Sequence, residues 1–215
     1  MYFLYRFDRS NIQFYFINSF YYCAHMFTFK KKYYFIIENT KDINLKNIKR
    51  IKKFVIIYRN SKKQESREDL FKFRKICKSK SIDFYVANNL KLANYLSSDG
   101  IYLSSYNKSF KALSLKKLNF CIIGSAHSQK EIYLKIRQGC ELIMFSKLFQ
   151  VDYNKNAPFL GVIKFNNLLR NNKRLIPLGG INLKTLNNLN QIKCIGFALM
   201  SEIKKKPANI INRLF

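Results

Sequence analysis

A chain of 215 residues with 48% hydrophobic content is long enough to fold as one large domain, and no Pro/Ser/Gly-rich tract, linker, low-complexity segment or short-period repeat divides it. The net charge of +28 would suit a nucleic-acid or other anionic partner, but the lysines sit at nearly every element end instead of forming one block. Asn, Ile, Phe and Tyr, which share A/T-rich codons with Lys, are abundant too, so a base-composition bias accounts for the charge; no specific nucleic-acid partner is expected, only weak, salt-sensitive sticking to RNA.

The chain opens on "MYFLYRFDRSNIQFYFINSFYYCAHMF", which is aromatic-rich but broken by Arg6, Asp8 and Arg9. No apolar run there reaches the length of a membrane span, and the basic–apolar–small layout of a signal peptide is missing. Residues 1–30 are expected to form an N-terminal extension outside the fold, with Met26 as the actual start of the protein. A peripheral membrane anchor is the alternative for that segment.

Residues 31–215 read as a single domain in which strand-like and helical segments alternate. Apolar, β-branched or aromatic runs occur at "YYFIIE" (33–38), "FVIIY" (54–58), "IDFYVA" (82–87), "GIYL" (100–103), "NFCIIG" (119–124), "ELIMF" (141–145), "RLIPL" (174–178) and "CIGFAL" (194–199). Their lack of polar alternation suits parallel strands covered on both faces. Between them, "SREDLFKFRKICKSK" opens on a Ser cap and places Leu70, Phe73 and Ile76–Cys77 along one face. "SQKEIYLKIRQG" runs from a capping-box pattern at Ser128–Glu131 to Gly139 as C′ residue. "GVIKFNNLLRNN", "NLKTLNNLN" and "PANIINRLF" (207–215) fill the later gaps. Eight strands alternating with helical segments predict an α/β fold, a (β/α)8 TIM barrel with a closed parallel sheet, over a doubly wound open sheet.

The barrel gives a reason for the adjacent glycines of "RLIPLGGIN" in a chain with only seven. Gly179 and Gly180 follow the seventh strand, and the loops after strands seven and eight are the usual phosphate cradle of barrels. Without Cβ atoms, their N–H groups can approach an anion closely, and a helix starting just after them would add its dipole. A tight strand-to-helix turn without a ligand is the alternative. The five cysteines, Cys23, Cys77, Cys121, Cys140 and Cys194, form no C-x-x-C pair. They read as free thiols in a reducing, cytoplasmic setting, not as a disulfide framework or zinc site.

With these residues in place, the chain resembles the thiamine phosphate synthase/TenI family of barrels. "DGIYLSS" (99–105) is similar to the family's D-G-[VL]-H-L segment, and "IIGSAHS" (122–128) to its [IV]-G-x-S-x-H-[ST]. "FSKLFQVDYNKNAPFLG" (145–161) resembles the flap after strand six, "IPLGGIN" the phosphate turn, and "GFALMSEI" (196–203) the G-[VI]-A-[VA]-x-S-x-I ending. The resemblance implies a thiamine-biosynthesis enzyme whose partner is a small phosphorylated substrate. Gly179, Gly180 and Ser201 would hold thiazole phosphate. By family default the enzyme couples it to hydroxymethylpyrimidine diphosphate, giving thiamine phosphate and pyrophosphate. His127 and Ser125 stand where the family's catalytic face lies, and the matching histidine of TenI-like thiazole tautomerases is a proton shuttle. The alternatives are such a tautomerase or a non-catalytic phosphate-ligand binder, with His127 a structural residue bonded to the loop after strand six.

Departures from the pattern gather on the diphosphate side. The two positions at which synthases carry Mg²⁺-binding Asp are Asn88 and Asn107, so the resemblance implies Mg²⁺ only in weakened form and no other cofactor. Of the strand-two Q-x-R-x-K only Arg59 is kept. The flap Thr-Lys is Tyr153-Asn154, with Lys155 beside it as a substitute and Lys147 a further basic residue of the flap. Ser146 replaces a family glycine and reads as a backbone feature. Oligomeric state is not legible, and no membrane association is expected of the barrel.

Overall fold

The computed structural model describes residues 31–48, 52–60, 65–118, 120–154 and 156–200. Within them stand eight strands: β1 (Lys32–Ile37), β2 (Phe54–Tyr58), β3 (Asp83–Ala87), β4 (Gly100–Leu103), β5 (Cys121–Ala126), β6 (Leu142–Ser146), β7 (Leu175–Leu178) and β8 (Gly196–Leu199). Each is parallel to its neighbours in chain order, and β8 returns to pair with β1, so the sheet closes into the expected barrel. The expectations for residues 1–30 and for a helix over 207–215 lie outside the described residues.

Alternate strand residues turn into the barrel. Tyr34, Ile36, Val55, Ile57, Tyr85, Tyr102, Ile123, Met144, Ile176 and Ala198 fill its interior as one cluster, while the opposite strand faces join the surrounding helices in a second. Burial on both faces is why the strands read as unbroken apolar runs. Most strand bounds shift by one or two residues from the sequence reading, and the largest shift is at β5, which occupies Cys121–Ala126, not 119–124. Gly124 reads as a stop, yet Gly124, Ser125 and Ala126 continue the ladder opposite Ile143, Met144 and Phe145.

Among the described residues four connections carry α-helices: α1 (Arg67–Ser79), α2 (Leu90–Tyr95), α3 (Gln129–Arg137) and α4 (Gly161–Asn171). The Ser66 hydroxyl caps α1 by accepting from the Asp69 N–H at 3.1 Å. Its inner stripe is Leu70, Phe73, Arg74 and Cys77, the i, i+3, i+4, i+7 set, so Ile76 lies off the stripe and is 46% exposed. In α3, Ser128 accepts from the Glu131 N–H at 3.3 Å, as a capping box requires. The Glu131 carboxylate reaches one residue further back, to the His127 N–H at 2.7 Å. Gly139 follows the helix with φ +82°, as a C′ residue does.

The other connections are short 3₁₀ turns, at Thr40–Asp42, Leu45–Asn47, Lys111–Leu118 and Leu186–Gln191. Asparagine side chains compete for the local backbone there: Asn39 and Asn44 accept from the Lys41 and Lys46 N–H groups. Cys77, Cys121, Cys140 and Cys194 are free, as read; Cys23 lies outside the described residues. Burial pushes the Cys77 and Cys140 thiols up to about 12 and Cys121 to about 11, which keeps them protonated and unreactive. Among the described residues no helix is long and apolar enough to cross a membrane.

The Arg74 guanidinium, nearly buried under α1, donates to Asp99 Oδ1 at 2.8 Å and to the Ser97 carbonyl at 3.0 Å. Asp99 in turn accepts from the Phe84 N–H at 2.7 Å, so this pair ties α1 to the turn before β4 and to β3. Asp99 keeps partial contact with water, which moderates the cost of losing its partner. Arg74→Met is expected to lower the unfolding free energy by about 1–3 kcal/mol in a urea titration; an unchanged midpoint would contradict this role.

Candidate functional site

Parallel strands deliver all their C-terminal ends to one rim, and there the chain assembles a pocket of about 420 Å³. Its wall takes Arg59 from the end of β2, His127 from β5, Ser146 and Lys147 from β6, Gly179 to Asn182 after β7, and Met200 after β8. Gln150 to Tyr153 of the loop after β6 close one side. Of the residues singled out in the sequence, Arg59, His127, Gly179 and Gly180 therefore share one cavity. Ser125 lies below it in the barrel interior, and Asn88 with Asn107 occupies a neighbouring corner of the rim. Lys155 and Ser201 lie outside the described residues.

Gly179 and Gly180 adopt φ +93° and +69°, a region that L side chains avoid. A Cβ on Gly180 would strike the backbone of Phe149 and Gln150, and one on Gly179 would crowd Lys147. The glycine pair is thus required by close packing of the β6 loop against the turn. The Gly179 carbonyl accepts from the Phe149 N–H at 3.0 Å, and the Gly180 carbonyl from the Thr185 hydroxyl at 3.0 Å. A trans peptide directs its N–H opposite to its C=O, so the Gly180 and Ile181 N–H groups point away from those partners. The helix expected directly after the glycines is displaced. Asn182 instead accepts from the Lys184 and Thr185 N–H groups at 2.9 and 3.1 Å, and only then does the short Leu186–Gln191 turn begin. No helix dipole adds to this turn.

His127 is exposed at the rim, and its Nδ1 lies 2.8 Å from the Ser146 hydroxyl. Ser146 is more than the backbone feature its sequence suggests, because its hydroxyl meets the imidazole. Arg59, partly buried, directs Nη2 at Met200 Sδ at 3.5 Å. Lys147 lies over the Tyr153 ring at 5.7 Å, so both flap residues project into the same cavity wall. Below them the Tyr102 hydroxyl is fully buried, near Ser125 and Arg59 but with no partner in good hydrogen-bond geometry. Burial raises its pKa, and Ser125 and Arg59 are its polar neighbours. Tyr102 went unnoticed in the sequence because a tyrosine inside an apolar run looks like core.

The asparagine corner is saturated with internal bonds. Asn88, with φ +57°, donates from Nδ2 to the Ser104 and Tyr106 hydroxyls at 2.7 and 3.1 Å. Its Oδ1 accepts from the Ser104 N–H and from Asn107 Nδ2, both at 3.0 Å. Asn107 Oδ1 accepts from the Ser109 N–H at 2.9 Å. Mg²⁺ is held by carboxylates and waters in near-ideal octahedral geometry, whereas this donor set has no carboxylate and both lone pairs of Asn88 Oδ1 are committed to N–H groups. The residues present do not fit a divalent cation.

The family model described as thiamine monophosphate synthase matches residues 34–203, which spans the barrel from β1 to beyond β8. The chain is 25% identical over 156 residues to a thiamine-phosphate synthase of Persephonella marina, covering 70% of this chain and 74% of that protein. It is 27% identical over 149 residues to one of Flavobacterium johnsoniae, covering 64% and 70%. In structure it is similar to a thiamine phosphate pyrophosphorylase from Pyrococcus furiosus, with a TM-score of 0.64 at 16% identity over 86% of this chain and 98% of that one, a likeness of fold. On the extent of the family match, the chain belongs to the thiamine monophosphate synthase family.

Proposed function

We propose that the chain binds thiazole phosphate in the rim pocket and couples it to hydroxymethylpyrimidine diphosphate, giving thiamine phosphate and pyrophosphate. The thiazole nitrogen bonds to the pyrimidine methylene carbon as the carbon–oxygen bond to the diphosphate breaks, and the electron pair leaves with the pyrophosphate. The reading rests on the Gly179–Gly180 turn. Its carbonyls are tied to Phe149 and Thr185, which leaves the opposed N–H groups of Gly180 and Ile181 to receive phosphoryl oxygens. The family resemblance assigns the same phosphate a hydroxyl from Ser201, next in sequence to the pocket residue Met200.

Arg59 and Lys147 on the wall, with Lys155 on the flap, supply the positive charge that meets the leaving diphosphate. Asn88 and Asn107, bonded within the loops after β3 and β4, leave that side without a carboxylate. The buried Tyr102 hydroxyl, near Ser125 and Arg59 but without a well-aligned partner, supports a ligand whose inner end carries a hydrogen-bonding atom, since a poorly satisfied buried donor gains from one.

One observation favours a second reading, the thiazole tautomerase. Ser146 holds the His127 ring by Nδ1, which leaves Nε2 to exchange a proton with a ligand. Incubating the full chain with both substrates is expected to release pyrophosphate in step with thiamine phosphate; no release at high enzyme concentration removes the coupling reading. Proton exchange on the thiazole phosphate carboxylate in D₂O, lost in His127→Asn, would then establish the tautomerase, and absence of both reactions leaves a binder. Tyr102→Phe is expected to unfold no more easily than the parent while its thiazole phosphate Kd rises about tenfold, the loss of one hydrogen bond of about 1.4 kcal/mol. Equal affinities would remove Tyr102 from the site.

A further inference from the structure

Behind the asparagine corner lies a lysine that no step above uses. Lys135 belongs to α3, on the outside of the barrel, yet it is fully buried. Its three ammonium protons meet three acceptors: the Ser104 carbonyl at 2.7 Å, the Asn107 carbonyl at 2.8 Å and Gln138 Oε1 at 2.9 Å. None of the three is a carboxylate. Gln138, also fully buried, donates its own amide protons to the Asn107 carbonyl at 3.0 Å and the Ser109 carbonyl at 2.7 Å. The stem reaches this position through a notch in β5: a Cβ on Gly124 would sit 2.9 Å from Lys135 Cδ and 3.2 Å from Cγ. Three residues from two elements are thus shaped around one interior cation.

We infer that Lys135 is a positioning residue that stands in for a divalent metal: its fixed ammonium, seated through the Gly124 notch, organises the β4 rim loop and excludes divalent cations from the Asn88–Asn107 corner. A metal in such a corner would draw neighbouring oxygens toward a positive centre, and Lys135 already does so from behind, through Ser104 and Asn107. A buried charge with neutral partners is poorly screened, so its field repels a second cation placed on the far side of the same loop. Burial lowers the lysine pKa and the Glu131 carboxylate one turn back on α3 opposes that shift, while three acceptors at 2.7–2.9 Å fit the charged form.

The consequence for catalysis rests on the coupling reading, but the test does not, because it uses Mn²⁺ alone. Free Mn²⁺ is followed by electron paramagnetic resonance as it is titrated into the full chain. The parent protein is expected to leave the free-ion signal unchanged. The double variant Asn88→Asp, Asn107→Asp, which restores carboxylates, is expected to bind Mn²⁺ at least about tenfold more weakly than the same double variant with Lys135→Met added, a factor worth about 1.4 kcal/mol. Lys135→Arg in the carboxylate background keeps the charge and is expected to keep the exclusion. Saturable Mn²⁺ binding by the parent that Asn88→Ala abolishes, or equal binding with and without Lys135, would overturn the inference. Should Lys135→Met fail to fold, Lys135→Gln removes the charge while retaining a polar end, and the parent titration stands on its own.

Discussion

The hydrogen-bonded return of β8 to β1 is the constraint from which the rest follows. Lys32 to Phe35 align with Gly196 to Leu199, and without that last ladder the sheet would be an open one with two bare edges. With it, every strand is parallel and every C-terminal end reaches the same rim, so residues as distant in sequence as Arg59 and Met200 come into contact. Closure also forces alternate side chains inward, where three tyrosines, Tyr34, Tyr85 and Tyr102, fill space that the aliphatic residues leave. Tyr34 and Tyr85 turn their hydroxyls toward Cys121 and Asp83, at the N-terminal ends of the strands. Tyr102 stands beside Ser125 and Arg59, beneath the pocket.

The two sides of the rim differ in how their polar groups are spent. At the β7 turn the carbonyls are engaged and the amides are turned away from their partners. At the β3–β4 side nearly every amide and hydroxyl is committed to a neighbour, with Lys135 and Gln138 holding the loop from behind. The first arrangement suits a ligand that arrives with oxygens. The second is already satisfied from within: the two asparagine amides both donate and accept, so the corner closes on itself.

Much of the fold was legible because it rests on periodicity and caps. Eight apolar runs without polar alternation, the Ser66 and Ser128 caps and the C′ glycine at 139 are local signals, and each has its counterpart in the structure. The glycine pair was legible as a special backbone, although its reason is the approach of the β6 loop and not a helix start. What escaped was whatever depends on register between elements. Ser146 looked like a spacer until β6 brought its hydroxyl to His127. Nothing in the sequence sets Lys135 apart from the other lysines, because its helix gives no sign that Gly124 of the adjacent strand makes room for its stem. Ile76 failed for the same reason in reverse: hydrophobicity alone placed it on the buried stripe, and helix geometry turned it outward.

Gly124 also couples the strand to the loop beyond it. A Cβ there would meet Cys140 Sγ and Lys135 Cδ, both at 2.9 Å, so even alanine has no room while these two side chains stay. A methyl group added to the strand would therefore be felt first by a helix and then, through the lysine ammonium on the Ser104 and Asn107 carbonyls, by a loop it never touches.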